Sequence, residues 1–290
     1  MLLGSDHRGL RTLSISLAES MDEREDPSKP LHDKGSHTGA ISALDCGVFA
    51  PLVASVGVDC TLRLFDYLDS SCEVAHDLDT EAVSVAMHPS CYMVAAALPD
   101  RVRVFNVCAT TRSMRPWREL TSVRHVGHVA FSPGGSLLAV CSGLNVQVFQ
   151  AYDMKQRFQL AGHVGVVQSL AWSDDDAVLA SVGEDGGVIG WDAGSGRRLD
   201  RMSNVTKGVR FDAVIITGKG HGRALIASGC GTSAPDVSMQ SKSRRKKAKN
   251  QKSGSTSIWK DATADSAISA HRHSHELGLP VLQISKDGDT

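Results

Sequence analysis

No run of the chain approaches 18 uninterrupted apolar residues, so nothing in it reads as a membrane-spanning helix. Its opening, MLLGSDHRGL, has no apolar core of the kind a secretory signal needs, which argues against secretion. The seven cysteines are Cys46, Cys60, Cys72, Cys91, Cys108, Cys141 and Cys230; none falls in a CxxC pair and the count is odd. Paired zinc or dithiol patterns are therefore missing. Several cysteines sit in apolar runs, as in LLAVCSG around Cys141, and the expectation is reduced, mostly buried thiols in an intracellular protein. Acidic residues are absent from Val237 to Gly254, a stretch with seven Lys or Arg. Outside it, 24 basic residues face 32 acidic ones, so the rest of the chain is mildly acidic, at −8.

What is present points to a globular β protein. The 290 residues are 41% apolar and 22% charged, enough for a sizeable core. The 27 glycines suit a fold with many tight turns.

Two segments align without a gap. His37 to Asp66 reads HTGAISALDCGVFAPLVASVGVDCTLRLFD, and His163 to Asp192 reads HVGVVQSLAWSDDDAVLASVGEDGGVIGWD. Nine of their 30 positions are identical, including the run Ala-Ser-Val-Gly. Each has three short β-branched and apolar runs divided by Gly, Asp or Pro turns; in the second these are Val166–Trp172, Val178–Val182 and Gly187–Trp191. Weaker units of the same pattern fill the gap, through Ala82–Met87, Tyr92–Ala97 and Arg101–Asn106, then Val126–Phe131, Leu137–Cys141 and Asn145–Phe149. The 126 residues from His37 to His163 divide into three periods of 42, the length of one propeller blade.

These units resemble WD repeats. The resemblance is carried by His163, Ser181, Asp185 and Trp191-Asp192 in one copy, and by His37, Ser55, Asp59 and Phe65-Asp66 in the other. It implies an all-β fold, a propeller of four-stranded antiparallel blades. It also implies that His, Ser, Asp and Trp form a buried hydrogen-bond network pinning each blade. The residue types suit this. Asp only accepts, the Trp indole only donates, and His and Ser do both. The spacing is the same in both copies: 18 residues from His to Ser, four to Asp, six to the aromatic. Phe65 has no N–H, so the first network is expected to be one bond short, and Asp59→Ala is expected to cost less than Asp185→Ala. Ser181, His163 and Asp185 could also be read as a hydrolase triad. No GxSxG elbow accompanies them, and the set recurs at the same spacing, so the structural reading prevails.

The expected organisation is a partial blade over 1–20, an exposed acidic linker over 21–36, propeller blades over 37–231, a disordered basic insertion over 232–254, and the rest of one blade with the start of the next over 255–290. Gly4-Ser5-Asp6 followed by Leu10–Leu13 matches the later half of a blade; Lys207–Ile216, Ala224–Gly229 and Ser255–Trp259 match an interrupted fifth. A propeller incomplete at both ends leaves strand edges unpaired. The expectation is a fragment of a longer protein.

Other candidates are weaker. Arg244, Arg245, Lys246, Lys247 and Lys249 form a basic strip. It could be a nuclear localisation signal or touch an acidic polymer such as nucleic acid or tubulin tails. It has no interleaved aromatics to stack on bases, so nucleic acid is not the expected partner. His271, His273 and His275 alternate, but Glu276 is the one carboxylate suitably spaced beside them, and no metal or cofactor is expected. Gly218 to Gly222 is Gly-rich without the order of a phosphate loop.

The stretches HPSCYMVAAALPDRVRVFNV (His88–Val107), VRHVGHVAFSPGGSLLAVCSGLNVQVF (Val123–Phe149) and LAGHVGVVQSLAWSDDDAVLASVGEDGGVIGWDAGSGRR (Leu160–Arg198) are similar to the second propeller of the cilia- and flagella-associated WD-repeat proteins. The similarity covers roughly 35–265. It implies a non-catalytic scaffold of the axoneme, with axonemal or dynein-associated protein partners, no small-molecule substrate and no membrane. In that family tandem propellers precede a coiled coil and help place inner dynein arms; this chain has no coiled coil and adds the basic insertion. The alternative is a nuclear or cytosolic WD adaptor, such as a ubiquitin-ligase substrate receptor.

Overall fold

The computed structural model describes residues 2–6, 9–13, 29–30, 37–69, 71–108, 111, 113–206, 208–217, 224–231 and 254–260. All regular structure among them is β.

The first sheet has the order β1 (Leu2–Asp6), β2 (Gly9–Leu13), β3 (Lys29–Pro30). β3 falls inside the stretch expected to be linker. Its two residues pair with Thr12 and Arg11 at the sheet edge, the position in a sheet where proline is tolerated.

Four four-stranded antiparallel sheets follow. Blade 1 holds β4 (Ile41–Cys46), β5 (Leu52–Gly57), β6 (Thr61–Asp66) and β7 (Ser71–Asp77). Blade 2 holds β8 (Ser84–Met87), β9 (Met93–Ala97), β10 (Val102–Cys108) and β11 (Ser113–Leu120). Blade 3 holds β12 (Val126–Phe131), β13 (Leu137–Ser142), β14 (Asn145–Gln150) and β15 (Gln156–Ala161). Blade 4 holds β16 (Val167–Trp172), β17 (Val178–Gly183), β18 (Gly187–Asp192) and β19 (Arg198–Val205). A fifth, three-stranded sheet is β20 (Val209–Thr217), β21 (Ala224–Gly231) and β22 (Gly254–Lys260). Within each blade the strands pair in chain order, as expected of WD-type blades.

The fourth strand of each blade is the element that sequence periodicity misses. β15 is exposed along most of its length and β11 at half its positions. Such strands carry no apolar alternation to detect. The second strands are the opposite case, because β5 and β17 are buried at every position. A strand sandwiched between two neighbouring blades reads as a continuous apolar run.

The cores lie between blades. Leu138 and Val140 pack with Met93, Val102 and Val104 of blade 2, whereas Leu137, Ala139 and Cys141 pack with Trp172, Leu179 and Ile189 of blade 4. One strand thus feeds alternate residues into two cores. The innermost strands pack in sequence, β4 on β8, β8 on β12, β12 on β16 and β16 on β20.

Hydrogen bonds also staple successive blades through the turns that follow their first strands. Phe49 N–H donates to the Pro89 carbonyl (3.2 Å), His88 Nε2 bonds the Gly135 carbonyl (2.9 Å), and Gly134 N–H donates to Asp176 (2.9 Å). Gly135 has φ +75° and lies so close to His88 that an added Cβ would fall 2.4 Å from Nε2. Both facts demand glycine there.

Of the described cysteines, Cys91 and Cys141 are buried, Cys60 and Cys72 are half-buried, and Cys46 and Cys108 are exposed, all in the reduced thiol form. The expectation of mostly buried thiols fails for Cys46 and Cys108. Both sit at the last residue of a strand, where the blade sandwich no longer covers the side chain.

Candidate functional site

The residues at the 18-4-6 spacing meet at one rim of the blades, the end carrying the turn between the second and third strands. In blade 4, His163 lies just before β16, Ser181 in β17, Asp185 in the β17–β18 turn and Trp191 in β18. His163 Nε2 is 2.8 Å from Ser181 Oγ, and Trp191 Nε1–H donates to the same oxygen at 2.8 Å. His163 Nδ1 lies 3.2 Å from both Asp185 oxygens, which also accept the Val164 and Gly187 N–H groups at 2.8 and 2.9 Å. A carboxylate can only accept, so Nδ1 carries the proton and Nε2 accepts from the Ser181 hydroxyl. Every polar atom of the set then has a partner with the imidazole neutral. Burial lowers the His163 pKa, and Asp185 only partly offsets this. At Asp185 burial pushes upward, but the two backbone N–H groups and His163 outweigh it, holding the carboxyl below its ordinary range.

Blade 1 brings His37, Ser55 and Asp59 together in the same order. His37 Nε2 is 2.8 Å from Ser55 Oγ, and Nδ1 is 2.9 and 3.0 Å from the Asp59 oxygens. Phe65 takes the aromatic place in β6 and packs with Val53, Ile41 and Leu44. Its lack of an N–H bears on Ser55, not on Asp59, because the indole of Trp191 bonds the serine. The expected reason for a weaker Asp59 is therefore corrected: Phe65 removes no donor from that carboxylate.

Asp59 in fact has more donors than Asp185. It accepts from Thr38 N–H (2.9 Å), Thr61 N–H (3.2 Å) and the Thr61 hydroxyl (2.9 Å) besides His37. Against the pull of burial, these bonds bring its pKa down to about 2. Thr61 also lies 3.1 Å from His37 Nδ1 and accepts from Arg63 Nε at 3.1 Å. Sequence reasoning missed Thr61, whose place in blade 4 is held by Gly187. The signal available was Asp-x-Thr, where an Asp side chain receives the N–H two residues on.

Blades 2 and 3 close the same rim by other means. In blade 2, Arg101 reaches Asp79 (3.1 Å) and Glu119 (2.9 Å), and Arg103 bonds Asp79 as well. In blade 3, Ser142 Oγ takes the Arg124 N–H (3.1 Å) and donates to its carbonyl (3.0 Å). Exposed ion pairs contribute little each, so the buried His–Ser–Asp sets of blades 1 and 4 are the stronger pins.

The Ser181–His163–Asp185 order is that of a hydrolase triad, but its accessibility is not. Ser181 and Ser55 are both 0% exposed, and the Ser181 oxygen is already occupied by the indole. Among the described residues no group of three or more His, Cys, Asp or Glu could hold a metal ion. The basic strip Arg244–Lys249, the histidines His271, His273 and His275, and Gly218 to Gly222 lie outside the described residues.

Comparison with known proteins adds two findings. A family model described as WD domain, G-beta repeat, matches residues 28–66 and 154–192. The chain is also similar to cilia- and flagella-associated protein 57 of Mus musculus, 32% identical over 162 residues (56% of this chain, 13% of the relative). Two Tetrahymena thermophila proteins, cilia- and flagella-associated protein 57 C and A, are 26% and 30% identical over 237 and 220 residues. Each covers 75% of this chain, which spans 18% and 16% of their lengths.

Proposed function

The chain is a WD-repeat protein with similarity to cilia- and flagella-associated protein 57, and from that premise we propose that it is a non-catalytic interaction scaffold of the ciliary or flagellar axoneme, supporting the placement of inner dynein arms. The observation that carries this reading is the similarity to ciliary proteins, which extends over three quarters of the chain and so beyond the two matched repeats. Fold alone would not specify it.

The chemistry of the rim supports a binding role over a catalytic one. A nucleophile must meet its substrate, and the serine that bonds the His of the His–Asp pair in each pinned blade is sealed between strands. What the blades do present to solvent is side chains on their turns and outer strands, the surfaces by which a propeller engages proteins.

Tagged full-length chain expressed in a ciliated cell should concentrate along the cilium and stay with the axoneme after detergent extraction. Release with the soluble fraction, or a purely nuclear signal, would overturn the proposal.

A further inference from the structure

A cleft of about 450 Å³ opens between blades 2 and 3, lined by Tyr92, Met93, Asn106, Val107, Trp117 and Tyr152. It lies at the end opposite the pinned rim. Tyr92 comes from the turn after β8 and Tyr152 from the turn after β14, and antiparallel order puts both turns at that end.

Three aromatic rings wall the cleft, each held by a local device. Tyr92 packs against His88 with the rings tilted by 50° and centroids 4.2 Å apart, and is 45% exposed. The Tyr152 hydroxyl donates to Gln150 at 3.1 Å while the residue remains 71% exposed. Trp117 enters through a bulge. The β10–β11 register shifts between Val104 and Phe105, which face Arg118 and Pro116, leaving Trp117 unpaired and packed half-buried against the blade 2–3 core. In blade 4 the place of Tyr152 is held by Gly194, so the neighbouring junction is built without this wall.

The charge around the cleft is positive. Arg115 pairs directly with Asn106, so its side chain leaves the sheet on the face that lines the cleft. The Arg118 guanidinium lies 5.8 Å from the Trp117 ring centroid. Both arginines are exposed. Asp79, Asp100 and Glu119 of this blade are engaged by Arg101 and Arg103, and Asp153 beside Tyr152 is paired with Lys155 at 3.2 Å. An aromatic cage bordered by two exposed guanidiniums repels a cationic guest. Pro116 in the outer strand also blocks continuous strand addition, so recognition must come from side chains.

We propose that this cleft docks an acidic linear peptide of a partner protein, with one large apolar or aromatic side chain seated among Tyr92, Trp117 and Tyr152 and flanking carboxylates on Arg115 and Arg118. The inference rests on the reading of the chain as an interaction platform and names the chemistry of one partner surface. The rings are already oriented, so little ordering opposes the guest.

The test uses the full chain and a short fluorescein-labelled peptide with one Trp between pairs of Glu, compared by anisotropy with the same peptide carrying Lys for Glu. The Glu peptide should bind saturably and weaken with added salt. Tyr152→Ser, at an exposed site where the melting temperature should not move, should lower its affinity about tenfold, as expected for an aromatic anchor. Arg115→Glu should shift preference toward the Lys peptide, and Val164→Ser, an 86% exposed residue at the opposite end, should change nothing. Tighter binding of the Lys peptide to the unaltered chain, no saturable binding of the Glu peptide, or equal affinity in Tyr152→Ser would each overturn the proposal. Axonemal retention of the tagged chain is scored separately. Retention without peptide binding sinks the cleft and leaves the scaffold standing; peptide binding without retention does the reverse.

Discussion

Replacing Asp59 or Asp185 with Ala tests how the two pinned blades are held. Counting donors alone, Asp59 should be the costlier loss, since Thr61 adds two donors to it. The outcome depends on what can rearrange. Without Asp59, His37 can move its proton to Nε2, donate to Ser55, and accept the Thr61 hydroxyl at Nδ1, 3.1 Å away. Thr38 is exposed, so its N–H turns to water. Only the Thr61 N–H is left stranded. Without Asp185 no such substitute exists, because Gly187 has no side chain; the Gly187 N–H and His163 Nδ1 are both stranded. The difference is one buried polar group, or about 1–3 kcal/mol. With a urea slope of about 1–3 kcal/mol per M, midpoints should differ by on the order of 1 M, with Asp185→Ala the lower. The order is the one the repeat suggested, but its cause is Thr61 rather than Phe65. The decisive variant is therefore Asp59→Ala with Thr61→Val, whose unfolding free energy should fall by about 1 kcal/mol more than the single changes sum to. Additive behaviour in that cycle, or equal midpoints for the two Asp variants, would refute the reasoning.

Three further outcomes are expected. Trp191→Phe should recreate the blade 1 arrangement in blade 4 and cost about 1 kcal/mol in urea unfolding, since Ser181 loses a donor but its hydroxyl keeps His163. Gly135→Ala should lower the melting temperature more than Gly143→Ala: both have positive φ, but a Cβ at 135 meets His88 at 2.4 Å while one at 143 meets nothing within 4 Å. His128, whose Nδ1 is buried without a partner, has its pKa lowered by burial from 6.5 to about 4. The unfolded chain takes up that proton first, so the contribution is full above pH 6.5 and declines as pH falls toward 4; His128→Phe should flatten that part of a pH–stability curve, and an unchanged curve would refute it.

Local order made much of the protein readable. The blade period shows because the inner three strands are buried between neighbours and must be apolar, and the turns between them must bend. The 18-4-6 spacing shows because each pinning set lies within one blade, where chain distance fixes position in space. The outer strands escaped the same logic. Residues of β11 and β15 face solvent, so composition there is free of the pattern that reveals burial. Lys29 and Pro30 escaped too, because a two-residue edge strand needs no apolar face.

What only the tertiary structure decided is which side chains from different turns and blades come together. Thr61 reads as an ordinary strand residue until its hydroxyl is seen between His37 and Asp59. Tyr92, Trp117 and Tyr152 are separated by 25 and 35 residues, and nothing periodic links them. They share one cleft because a bulge opposite Phe105 turns Trp117 aside and because blade 3 stacks on blade 2. A repeat dictates the unit from within, since its contacts are local; a surface formed between units depends on how they stack, and that is a property of the assembled sheet array alone.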